Sequence, residues 1–200
     1  MGGAPAIPFV GLTGAMGAGK SAALDALGRL GAATLSTDLV VHDLYERPEV
    51  VESIVTRWGD GVAPGGVVDR AQVARHAFSG PDERAWLESL LWPLVGAEVE
   101  AFRAAALHAD PPPSAMVVET PLLFEAGMES AYDATIVVVA EEEVRRRRAG
   151  ERGHEAVEER HDRQLSQEEK AERATYVVAN DGSFEDLEAA LAEVLAKLAR

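Results

Sequence analysis

Residues 14–21 read Gly-Ala-Met-Gly-Ala-Gly-Lys-Ser and lie between an apolar run, Phe9 to Thr13, and a segment of helical periodicity from Lys20 to Leu30. The pattern G-x-x-x-x-G-K-[ST] between a strand and a helix is the P-loop, and it restricts the fold more than anything else in the chain. Glycine lets the backbone close around a phosphate and take positive φ where a side chain would be strained. The loop N–H groups then face the anion, and the helix start adds its partial positive charge. Lys20 supplies a mobile cation for the β and γ phosphates, and the Ser21 hydroxyl suits Mg²⁺. The expected cradle is Gly14, Gly17, Ala18, Gly19, Lys20, Ser21 and Ala22, holding a nucleoside triphosphate with Mg²⁺. A flexible turn that merely contains a lysine would need neither the strand before nor the helix after.

Four further apolar runs read as strands: Ala33 to Leu35, Ala115 to Val118, Ala134 to Val139 and Tyr176 to Ala179. They lack polar alternation, as expected of parallel strands covered by helices on both faces. Leu24, Leu27 and Leu30 share one face of the helix after the loop, and Gly31 can stop it. Leu39 to Tyr45, Asp69 to Phe78, Asp82 to Leu107, the charged stretch Glu141 to Arg173, and Phe184 to Leu198 read as helical. Pro93 is expected to end or kink the 82–107 helix near Trp92. The spacing predicts an α/β fold: a P-loop NTP-hydrolase-like three-layer core on a five-stranded parallel sheet. The core is expected over 1–38, 111–140 and 174–200, a helical insertion over 39–110, and a separate charged segment over 141–173.

The 34 acidic and 19 basic residues give a net charge of −15. That argues against a nucleic-acid partner, whose phosphates demand a basic surface. A small phosphorylated ligand needs only a local positive site. There is no cysteine, hence no disulfide, thiolate metal site or cysteine nucleophile. The start MGGAPAIPFV lacks a basic n-region and a long apolar run, Ala6 breaks the myristoylation pattern, and no apolar run reaches about 18 residues. No membrane association and a cytoplasmic location are expected.

A regulatory GTPase would need an N-K-x-D motif, which is absent. A small-molecule kinase would place a carboxylate after the second strand, a helical acceptor-binding insert, and an arginine-rich lid after the fourth strand. All three patterns are present. The chain resembles the dephospho-coenzyme A kinase family from Val10 to about Leu198. The resemblance runs through GLTGAMGAGKS at 11–21, S-T-D at 36–38, V-D-R at 68–70, AFSGPDER at 77–84 and ETPLLFE at 119–125. It continues through Arg145–Arg148 with Arg152-Gly153, RHDRQ at 160–164, Glu169-Lys170 and NDGS at 180–183. P-L-L-F-E is its most specific part.

The resemblance implies ATP-dependent phosphorylation of the ribose 3′-hydroxyl of dephospho-coenzyme A, with residues 39–110 binding the acceptor and 141–173 acting as lid. It implies that Asp38, with Lys20 and Arg148, is catalytic. Asp38 would contact the acceptor hydroxyl as base or positioning group, and a carboxylate there can also cap the following helix. Arg148 and Arg152 lie four apart and would reach ATP phosphates, whereas Arg145 to Arg147 follow Glu141 to Glu143 at ion-pair spacing and are expected on the surface. Glu119 either holds Mg²⁺ through water, alongside Ser21, or caps the Thr120–Pro121 turn. Leu122, Leu123 and Phe124 pack either against the acceptor or in the core.

The chain departs from the family at Ser36 and Thr37, which replace an aspartate and an alanine, at Trp92, which replaces a histidine, and at Thr175, often aspartate. His154-Glu155-Ala156-Val157-Glu158 begins like a zinc motif, but its fifth residue is not histidine. Another P-loop kinase, of nucleoside monophosphate or shikimate type, and a nucleotide-binding regulatory protein are the competing readings.

Overall fold

The computed structural model describes residues 6–150 and 164–199. The chain divides into two compact units, Met1–Ser36 with Arg103–Arg200, and Thr37–Phe102.

The first unit is built on five strands: β1 (Phe9–Gly14), β2 (Ala33–Ser36), β3 (Met116–Glu119), β4 (Ala134–Val139) and β5 (Tyr176–Ala179). Their order is β2-β3-β1-β4-β5 and every pairing is parallel. The five expected strands are thus all present, within two residues at each end. Side chains alternate between the two faces of a strand, and the core splits accordingly. Val10, Leu12, Val117, Ile136, Val138 and Val178 meet Ala23, Ala26 and Leu27 of α1 (Lys20–Arg29) and Leu187, Leu191 and Val194 of the closing helix, Phe184–Leu198. On the other face Val137 packs with Leu123 and Phe124. Covering both faces explains the unbroken apolar runs.

Gly11 shows how tightly that second face is filled. A Cβ there would lie 2.4 Å from Leu123 Cδ1 and 2.9 Å from a Tyr132 ring carbon. Leu123 and Phe124 are therefore core residues, whereas Leu122 is exposed. Thr135 and Thr175 join β4 to the start of β5: each backbone N–H donates to the other's Oγ1 at 3.0 Å. Thr175 thus has a structural partner of its own.

The second unit is helical: α2 (Thr37–Leu44), α3 (Pro48–Trp58), α4 (Arg70–Ala77) and most of α5 (Pro81–Leu107), with no strand. Val40, Leu44, Val50, Ile54, Val62, Val73, Ala77 and Leu91 are buried. Asp69 caps α4 by accepting from the Ala71 and Gln72 N–H groups. Glu83 accepts two bonds from Arg57, at 3.0 and 2.8 Å, and one from Trp58 Nε1 at 2.6 Å. Trp58 also stacks on His76 and meets Trp86 edge-on.

α5 does not end at Pro93 but runs through it. The carbonyl that loses its donor belongs to Ser89, four residues earlier. Ser89 and Pro93 are both exposed, so water can replace the missing bond. Trp92 is exposed too. Among the described residues the first unit has three further helices: α6 (Glu142–Gly150), α7 (Gln167–Arg173) and α8 (Phe184–Leu198). Among the described residues no helix is long and apolar enough to cross a membrane.

Candidate functional site

β1 lies between β3 and β4, so its carboxyl end is where the sheet's connections diverge, and ligands of open parallel sheets bind at such a point. The 14–21 loop leaves the sheet here. Gly17 and Gly19 have φ of +75° and +98°, a region that favours glycine. Neither has room for a side chain: a Cβ on Gly17 would sit 2.5 Å from the Arg145 carbonyl oxygen, and one on Gly19 2.0 Å from Asn180 Nδ2. Lys20 Nζ donates to the carbonyls of Gly14 and Ala15 at 3.2 and 3.5 Å, so the cation lies across the loop.

The helix that follows is left unclosed at its head. Gly19 caps α1 without any side-chain hydrogen bond. By contrast α7 and α8 are each closed by a capping box, Ser166 with Glu169 and Ser183 with Asp186. Asp186 is held below the ordinary aspartate range by the bonds it accepts from the Ser183 N–H and hydroxyl. An α1 start with no such acceptor keeps its dipole and N–H groups for an outside anion.

Asn180, which follows β5, is buried and holds the loop in place. Its Nδ2 donates to the Ala18 carbonyl at 2.8 Å, and its backbone carbonyl accepts from Arg148 Nη1 at 2.9 Å. One residue therefore ties the loop to α6. Next to it Asp181 Oδ1 accepts from the Glu141 N–H at the start of the same segment. Arg148 lines a cleft of about 220 Å³ together with Gly19, Ala22, Asn180, Gly182, Phe184 and Leu187. Arg29 covers the Phe184 ring, 4.8 Å from its centroid. Arg146 instead pairs with Glu142 on the surface of α6. The structure thus brings Arg148 to the loop. Arg152 lies outside the described residues, as do His154 to Glu158, Arg160 to Arg163 and part of the 141–173 segment.

Glu119 ends β3 and Ser36 ends β2, and the two are in register. Ser36 Oγ donates to Glu119 Oε2 at 2.7 Å, and both residues are buried, at 8% and 5% exposure. Asp38 follows two residues later in the first turn of α2, exposed, and suits that position electrostatically. It is inside the helix and not at its N-cap, so the capping role considered for it is not the one it has.

The P-L-L-F-E segment is pinned from two sides. The Pro121 carbonyl accepts from Thr13 Oγ1 and from Lys170 Nζ, both at 3.2 Å. Lys170 is fully buried and pairs with Glu125 Oε1 at 2.9 Å, and that same oxygen accepts from the Leu165 N–H at 2.9 Å. Beneath the turn, Tyr132 stacks on Phe9 and bonds Thr120 Oγ1 at 3.0 Å. Burial pushes its phenol above the ordinary tyrosine range, so it stays a neutral hydroxyl. Glu125, Lys170 and Asn180 stand within the sequence motifs, but no role for them follows from the motifs alone. A lysine at a position of helical periodicity that is wholly buried has no signature in one sequence.

The dephospho-CoA kinase family model matches residues 8–186. A dephospho-CoA kinase of Deinococcus radiodurans is 41% identical over 192 residues, which cover 94% of this chain and 91% of the relative. A crystal structure of a Thermus thermophilus protein superposes with a TM-score of 0.79 at 36% identity, covering 96% of this chain and 99% of the other. A shikimate kinase from Bacteroides thetaiotaomicron shares the fold alone, with a TM-score of 0.51 at 16% identity over 96% of this chain and 99% of the other.

Proposed function

The chain belongs to the dephospho-CoA kinase family, and on that premise we propose how its residues carry out the reaction. It is a kinase that transfers the γ-phosphoryl group of ATP to dephospho-CoA, giving coenzyme A and ADP. The core of 1–38, 111–140 and 174–200 takes the donor, 39–110 takes the acceptor, and 141–173 is the lid. The cytoplasm is the compartment this reading assigns.

The observation that carries the donor half is the α1 head. A loop whose glycines at 17 and 19 admit no Cβ opens onto a helix start with no side-chain cap. That is an anion site, and the backbone at Gly14, Gly17, Ala18, Gly19 and Ala22 cradles the phosphates in this reading. Lys20 leaves the loop carbonyls for the β and γ phosphates. Arg148 follows charge as it moves toward the leaving group, and its tether to the Asn180 carbonyl keeps it beside Gly19. Arg152 is the second lid cation of this proposal. The cleft bordered by Arg148, Asn180, Gly182 and Phe184, next to the loop, takes the base in this reading.

The donor set also fits Mg²⁺, a hard cation that keeps several waters and needs few protein ligands. The Ser21 hydroxyl is exposed at the loop, and Glu119 offers an oxygen ligand at the end of β3. Ser21 would bind the ion directly and Glu119 through water. When bound, Mg²⁺ neutralises charge on the β and γ phosphates. No cluster of three His, Cys, Asp or Glu side chains is needed for this, and none occurs among the described residues.

Asp38 orients the ribose 3′-hydroxyl and accepts its proton. The new bond joins that oxygen to the γ-phosphorus as the bond from the γ-phosphorus to the β–γ bridging oxygen breaks, and ADP leaves with the electron pair. Because the transition state is loose, orientation counts for more than proton removal. The test is product mass after incubation with ATP, Mg²⁺ and either dephospho-CoA, shikimate or a nucleoside monophosphate. Phosphate on dephospho-CoA alone is expected. Asp38→Asn should lower turnover far more than ATP affinity, and equal losses of both would remove Asp38 from the acceptor.

A further inference from the structure

We propose that Ser36 is a positioning residue for Glu119, setting the carboxylate that meets the water shell of nucleotide-bound Mg²⁺. The proposal rests on the reading of Glu119 just given. Its own basis is the geometry at the carboxyl ends of β2 and β3. Ser36 and Glu119 are register partners on neighbouring parallel strands, and the hydroxyl donates to Oε2 at 2.7 Å. Both are more than nine-tenths buried, so the bond is made away from competing water. Glutamate has three side-chain torsions, and a hydrogen bond at its carboxylate restrains the last of them.

The chemistry explains why a serine suits this place. An ionised aspartate at position 36 would have no proton to donate and would repel the Glu119 carboxylate. A serine hydroxyl donates one bond and adds no charge. Removing a partner that orients a metal's ligating groups typically costs about 10–100-fold in affinity, and the low end applies here because Glu119 acts through water. Ser36 also closes β2 directly before Thr37 and Asp38. The same anchor thus fixes where the chain leaves the sheet, two residues ahead of the proposed acceptor carboxylate.

The experiment compares Ser36→Ala, Ser36→Thr and Glu119→Gln in the full chain. The first readout is Mn²⁺ binding to the enzyme–ADP complex, followed by electron paramagnetic resonance. ADP affinity in excess chelator and thermal melting are measured in parallel. Ser36→Ala should weaken Mn²⁺ binding about tenfold while leaving metal-free ADP affinity within twofold, and Ser36→Thr should restore it. If Glu119→Gln weakens Mn²⁺ binding and Ser36→Ala does not, the positioning role is overturned and Glu119 stands alone. If Glu119→Gln itself leaves Mn²⁺ binding unchanged, the reading of Glu119 on which the proposal rests has failed, and the proposal with it. A Ser36→Ala variant that melts earlier but titrates metal normally would reduce Ser36 to a packing residue.

Discussion

Replacing Lys170 by methionine leaves a charge without its partner in the interior. The side chain is fully buried, and its ammonium group is held by Glu125 Oε1 at 2.9 Å and by the Pro121 carbonyl at 3.2 Å. After Lys170→Met, Glu125 keeps only the Leu165 N–H at Oε1, and its Oε2 has no hydrogen-bond partner among the described residues. Breaking a buried pair by removing one member costs about 3–5 kcal/mol, because the remaining charge is uncompensated. That is a large part of the roughly 5–15 kcal/mol that holds a domain together. With a urea slope of about 2 kcal/mol/M, the midpoint should fall by about 2 M. Glu125→Gln should cost a similar amount by stranding Lys170. The double variant Lys170→Met/Glu125→Gln keeps an acceptor for the Leu165 N–H and leaves no buried charge unpaired, so it should lose less than the two single losses added together. All three tryptophans, Trp58, Trp86 and Trp92, fall in the Thr37–Phe102 unit. Far-ultraviolet circular dichroism, which sees the sheet, is therefore the probe to use. A single-variant loss below about 1 kcal/mol, or strict additivity in the double variant, would refute the reasoning.

Gly19→Ala should weaken ATP binding by at least about tenfold, because its Cβ would displace the Asn180 amide that holds Ala18; an unchanged ADP titration by calorimetry would contradict this. Gly11→Ala should destabilise the fold by about 1–3 kcal/mol through overpacking against Leu123 and Tyr132, read from the urea midpoint, with the P-loop sequence untouched. Glu83 lies below the ordinary glutamate range, chiefly because Arg57 and then Trp58 donate to it. A carboxyl lowered in the folded state gives stability that is complete above its unfolded value and is lost as pH falls through the folded one. Proton titration by NMR should therefore find Glu83 below the ordinary glutamate value, and Arg57→Ala should move it back up.

The parts of this molecule legible in its sequence are those set by neighbours along the chain. Gly14 to Ser21 announces its own turn, cation and helix start, and the strands declare themselves as apolar runs because helices cover both faces. Arg148 could be separated from the exposed Arg146 and Arg147 by a missing acidic residue at position 144, a purely local clue, whereas Arg145, expected on the surface, is half-buried with its carbonyl beside Gly17. What stayed hidden depends on strand order. Ser36 meets Glu119 because β2 lies beside β3, and Asn180 reaches Ala18 from a position 162 residues away. Periodicity does not specify such neighbours. The 82–107 helix was legible too, and of the two effects expected of Pro93 the helix end does not occur: the rule that proline interrupts a helix weakens where the orphaned carbonyl is exposed to water.

The sheet order also dictates a timetable for synthesis. β1 is the first strand made and the central one, yet its partners begin at Met116 and Ala134. At about 5–20 residues per second, the ribosome needs roughly 6–25 s to deliver both after β1 has emerged. During that interval an apolar strand waits with both edges open while the helical residues Thr37–Phe102 are made. The donor loop is therefore encoded near the beginning of the chain but is completed only when Asn180 arrives to hold it. A ribosome stalled before β5 would carry the entire P-loop motif and no finished nucleotide site.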